Sequence, residues 1–212
     1  MWFVDLVPVT DPGRVGAAVA AAVGVGEQPG RDTDDAVLAA LADHRALLVL
    51  AAFTVDVADG SLEVYAQRVR RVLSAALHLA CTAELDDEDL PADEFPDWFT
   101  AISTREGEVH ETFARDGRTA YMNRSGGDPW SLQNWIYRFD PAEDSRGWEF
   151  WDVVPVGPSR VRVWVDSWEE SFFGSVDLLW LLYTAGASHV EGPEVREASA
   201  WASEILRPVG AS

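Results

Sequence analysis

The stretch WEFWDVVPVGPSRVRVWVDSW, residues 148–168, alternates large apolar and polar side chains on both sides of Gly157-Pro158-Ser159. Two period-2 runs about such a turn predict an antiparallel hairpin, Trp148–Val156 with Arg160–Trp168. A three-residue loop sets Val156 opposite Arg160, Asp152 opposite Trp164 and Trp148 opposite Trp168. Successive side chains of a strand point to opposite faces. Trp151, Val153, Val161, Val163 and Val165 are therefore the expected core face, and Phe150 falls on the other. That other face also carries Trp148, Asp152, Arg162, Trp164, Asp166 and Trp168, which are the candidate partner-binding residues. Aromatics mixed with charges have the composition of interfaces, where Trp and Arg are enriched. In the competing reading, helix 175–186 or 128–139 covers this face and its tryptophans are ordinary core.

Helices and turns flank the hairpin. Ser61 caps a long helix whose apolar stripe is Leu62, Tyr65, Val69, Val72, Leu73, Ala76 and Ala80. The segment 84–97, with eight acids and no base, reads as an exposed loop. Val109–Ala114 and Arg118–Met122 flank Asp116-Gly117, a hairpin signal. Asp128-Pro129 opens a short helix through Trp135 and Ile136. Ser175 caps an apolar helix ending at Gly186, and Glu194–Leu206 is expected as the last helix. The expected fold class is α+β: an N-terminal strand–helix–helix–strand fragment of α/β type, then a Trp-rich mixed domain with antiparallel hairpins and flanking helices.

The N-terminal fragment differs in composition. Residues 1–53 hold one of the ten tryptophans and a balance of −4, out of a net charge of −20. A boundary is expected near Ala51–Asp59, giving domains 1–53 and 54–212. Trp2–Val9 reads as a strand, and Asp11 and Pro12 open a helix with Val15, Val19, Ala22 and Val23 on one face. Gly24 and Gly26 stop it. Thr33 caps a second helix with Val37, Leu38 and Leu41 inward, and Ala46–Leu50 is a buried strand. Such an order suggests part of a parallel sheet.

The phrases WFVDLVPVTDP (2–12), VAAAVGVGEQPGR (19–31) and ALADHRALLVL (40–50) give this fragment a likeness. It resembles the segment between phosphate loop and Walker B strand in STAND-type (NB-ARC-like) ATPases of actinobacterial transcriptional regulators. The resemblance covers about a quarter of the chain, and implies a phosphate loop before Met1 and a magnesium-holding acid after the last strand. Ala51 stands at that acid's place, and all sixteen basic residues are arginine, so no lysine can reach a phosphate. ATP hydrolysis is not expected, and the fragment reads as a truncated relic.

Composition narrows the remaining classes. A net charge of −20 repels nucleic acid and anionic lipid, and favours a basic protein partner or simply solubility. Cys81 is the only cysteine, which suits a reducing compartment. The start has no basic n-region, and the longest apolar runs fall short of the ~20 residues of a membrane span. A soluble, cytoplasmic protein is expected.

No cofactor or metal site is expected. His44, His78, His110 and His189 are scattered, and His78 with Cys81 supplies two soft ligands where a site needs three or four. Cys81 is expected as a buried thiol. Asp86–Asp89 lack calcium-loop spacing. No nucleophile elbow occurs, and the lack of lysine removes Schiff-base chemistry. The leading reading is a non-catalytic binding or regulatory protein, like toxin-immunity proteins in general composition only. The alternatives are a degenerate nucleotide-switch fragment and a hydrolase using paired carboxylates.

Overall fold

The computed structural model describes residues 20–21, 49–58, 61–83, 90–104, 109–141, 146–168, 170 and 172–206. Residues 1–48 and 49–212 are two compact units. Of the first, Ala20 and Ala21 are helical, within the segment expected as its first helix. The other N-terminal expectations and the acidic residues 84–89 lie outside the described residues.

The second unit runs β1 (Val49–Val57), α1 (Leu62–Thr82), α2 (Asp97–Ile102), α3 (Thr112–Ser125) and α4 (Leu132–Ile136). It continues through β2 (Glu149–Pro155), β3 (Arg160–Asp166), α5 (Val176–Thr184), β4 (Ala187–Glu197) and α6 (Ala198–Ile205). The fold is α+β, with one four-stranded sheet in the order β2-β3-β1-β4 and every pairing antiparallel.

β1 departs from the expected boundary. It crosses the composition break, pairing Ala51 with both Val165 and Val195. The strand expected to stop at Leu50 in a parallel sheet is thus the antiparallel centre of the Trp-rich unit. Its alternation explains why: Ala51, Phe53, Val55 and Val57 enter the main core, while Thr54 and Asp56 are only partly buried on the other face. Ala51, at the place of the absent metal-holding acid, is fully buried between strands.

α1 forms as its stripe dictates. The Ser61 hydroxyl accepts from the Glu63 amide, and Tyr65, Val69, Val72, Leu73 and Ala76 are buried. The Tyr65 hydroxyl donates to the Leu182 carbonyl at 3.1 Å, tying α1 to α5. Cys81 is exposed rather than buried.

The hairpin expected around Asp116-Gly117 is instead the middle of α3. Glycine is needed there for proximity, not for a turn. A Cβ on Gly117 would lie 1.9 Å from the Tyr183 carbonyl oxygen, so α3 rests its bare backbone on α5. The last helix begins at Ala198 rather than Glu194, because 187–197 form the polar strand β4.

Two outcomes follow from this packing. Gly117→Ala, which gains about 1 kcal/mol in an exposed helix, is expected here to cost about 3 kcal/mol in chemical denaturation through overpacking. Burial pushes the Tyr65 hydroxyl well above the ordinary tyrosine value of 10.0. The unfolded chain then ionises first, so this contribution is whole below pH 10.0 and falls as pH rises above it. Tyr65→Phe should flatten the alkaline decline in stability relative to the parent by up to about 1.4 kcal/mol per pH unit.

Candidate functional site

The hairpin keeps the expected register near its turn and loses it farther out. Asp152 faces Trp164, Val153 faces Val163, and the Val156 amide donates to the Arg160 carbonyl. Beyond Asp152 the register shifts, so that Phe150 faces Val165 and Glu149 faces Asp166. Trp151 is the extra residue of a β-bulge, which moves everything before it to the other face. Trp148 therefore does not face Trp168.

The six candidate residues consequently do not form one face. Trp148 is 1% exposed inside the main core. Its indole N–H donates to Asp177 Oδ1 at 3.1 Å. Trp151, expected in that core, is 40% exposed and meets Trp201 edge-on at 5.5 Å. Trp164 is 0% exposed, packed with Leu50, Ala52 and Val154 beneath Ala198, Ala200 and Trp201. The covering element is α6, not helix 175–186 or 128–139.

Polar contacts fasten α6 to the sheet. Glu204 accepts from Arg162 and, at 3.2 Å, from the Trp164 indole. The Arg162 and Glu204 side chains are both largely buried, and Arg162 Nε is buried without an acceptor. Asp152 stands at the bulge and accepts from Arg70 at 3.2 Å and from the Trp201 indole at 3.1 Å. It thereby links α1 on one side of the sheet to α6 on the other. Of the six residues, Asp152, Arg162 and Trp164 are brought together.

Asp166 and Trp168 lie at the far end of β3. Asp166 Oδ1 accepts from the Trp168 amide at 2.8 Å, and Ser167 and Glu170 close a turn through each other's backbone. Trp168 has φ 50, the left-handed region that bulky residues rarely enter, and is 44% exposed. Phe172 on the same connection is 95% exposed.

Sequence reasoning missed Asp177. This wholly buried carboxylate accepts from the Trp148 indole, from Arg138 at 3.3 Å and from its neighbour's amide, Leu178, at 2.9 Å. The Trp135 indole donates to its carbonyl. Its negative charge stabilises the first turn of α5. The only available signal was an acid at the start of an apolar helix. His78 lies 3.4 Å from Glu94 at the surface, and His189 lies 3.7 Å from Glu191. Among the described residues no three histidines, cysteines or acids form a metal-holding group. No described helix is long and apolar enough to cross a membrane.

The chain is similar over 81 residues, at 38% identity, to proteins described as HTH-type transcriptional regulators from Mycobacterium bovis and Mycobacterium tuberculosis. The matched stretch is 38% of this chain but 9% of each relative. No family model matches the chain, and no solved structure matches it significantly.

Removing Glu204 leaves Arg162 charged and unpaired beneath α6. Glu204→Ala is therefore expected to cost about 3 kcal/mol in denaturant unfolding. Exposed Glu191→Ala should stay within about 0.5 kcal/mol.

Proposed function

We propose that the chain is a non-catalytic binding protein with a regulatory role, whose acidic second unit engages a basic protein partner through the aromatic end of its sheet. The observation that carries this reading is Trp168: a large indole in a left-handed conformation, partly in solvent, on the same connection as the almost fully exposed Phe172. Strained bulky residues persist where the surrounding structure enforces them, and they cluster at binding and switch sites. A net charge of −20 would steer a basic partner toward that end.

The placement of acids favours binding over catalysis. Asp177, Asp152 and Glu204 are each engaged by arginine and tryptophan donors that hold the fold. The paired-carboxylate hydrolase reading draws no support from them. The likeness to transcriptional regulators favours a second, compatible reading, in which residues 2–50 descend from a STAND-type nucleotide-binding domain and the chain acts by docking on intact regulators. The burial of Ala51 supports loss of the magnesium-holding acid, since a carboxylate there would be desolvated. A cytoplasmic location fits both readings.

A photo-reactive residue placed at Phe172 in the native host should trap a basic protein whose binding to the purified chain weakens with salt. Trp168→Gly relieves the left-handed strain, so stability should hold or rise by about 1 kcal/mol, while affinity for that partner falls at least about tenfold. Undiminished binding by Trp168→Gly, or micromolar binding of Mg-ATP in calorimetry, would overturn the proposal.

A further inference from the structure

A cavity of about 520 Å³ opens where α1, α3 and the junction of α5 with β4 meet. That is within the size range of small-molecule sites. Much of its wall is small, including Ala58, Ala120 and Gly186. Two charged side chains line it: Arg68 from α1 and Asp116 from α3.

Arg68 differs from the arginines that are tied into ion pairs. Arg70, Arg138, Arg146, Arg160, Arg162 and Arg196 each hold a carboxylate. Arg68 holds none among the described residues, although the chain's net charge is −20. Its guanidinium lies 3.6 Å above the Phe113 ring, and Nη1 donates to the Ala185 carbonyl at the end of α5. Partial burial lowers its pKa, so it bears a desolvation cost that no ion pair with a described residue offsets. Nη1 is spent on the fold, while Nε and Nη2 have no protein acceptor among the described residues. Those two N–H groups form the side-on fork that a carboxylate accepts bidentately.

Asp116 supplies the opposite charge. It lies three residues after Phe113, hence on the same side of α3 and one turn along from the ring that supports Arg68. No described residue forms an ion pair with it, and neighbouring Arg115 donates to Thr112 instead. An arginine fork and a carboxylate that line the same small-walled cavity, neither of them in an ion pair with a described residue, match a small ligand that carries both charges.

We propose that this cavity binds a small zwitterion of the α-amino-acid type, its carboxylate on the Nε–Nη2 side of Arg68 and its ammonium toward Asp116. The site does not depend on the partner surface at Trp168. Asp116 disfavours a plain anion, and Arg68 disfavours a plain amine. Phe113 is already covered by Arg68, so the ligand's side chain lies against the alanine and glycine wall.

The test is calorimetry on the full chain with the common free α-amino acids, each beside its decarboxylated amine and its N-acetyl form. At least one amino acid should bind saturably and about tenfold or more tighter than either derivative, a difference of one pair of charge-assisted contacts. Arg68→Lys keeps the charge but loses the fork and should weaken binding about tenfold. Asp116→Asn should bind the amino acid and its N-acetyl form alike. Since Arg68 also supports the fold, Ala120→Leu is the independent variant: it fills the cavity and should abolish binding while the melting temperature holds or rises. Absence of binding up to about 10 mM, near the weak limit of specific recognition, would overturn the proposal. So would equal affinity for the N-acetyl form in the parent chain, or undiminished binding in Ala120→Leu.

Discussion

β1 is hydrogen-bonded along both edges, to β3 and to β4, and its side chains enter the cores on both faces of the sheet. Its odd-numbered residues from Ala51 to Val57 carry the helical layer, and Leu50 with Ala52 carries the small second core beneath α6. Both β3 and β4 are registered on it, so hairpin and edge strand share one reference. This demands a strand apolar on both sides in its first half and on one side in its second. The run LAAFTVDV meets that demand, and the two adjacent alanines let both layers approach closely.

The local parts of this arrangement could be read before the structure. Period 2 about Gly157 located the β2–β3 hairpin, and the 3.6-residue stripe with Ser61 located α1. What failed was long-range. Asp116-Gly117 looks like a turn in isolation, and only the closeness of Tyr183 shows why a helix carries glycine there. β4 is mostly exposed and polar, so it lacks the apolar alternation that marks half-buried strands. β1 runs across the boundary drawn from composition, because it is apolar like the N-terminal part yet pairs with the Trp-rich part.

The candidate face illustrates how one residue can redistribute a surface. Strand periodicity correctly placed Asp152, Arg162 and Trp164 near one another. It could not foresee the bulge at Trp151, which exchanges the expected fates of Trp148 and Trp151. Nor could it identify α6 as the cover, because the period of a strand does not say which helix packs on it. Arg68 and Asp116 carried no sequence signal, since their juxtaposition depends on three helices meeting.

Among the described residues no strand pairs with the outer edge of β4, an edge that elsewhere would invite strands of other molecules. Glu191, Glu194 and Glu197 lie along this strand, and Pro193 lacks an N–H to offer. A second copy arriving edge to edge would meet like charge and an interrupted ladder. The strand that the hydrophobic pattern hid is for that reason suited to closing the sheet, and the acidity of the chain serves here as protection against polymerisation.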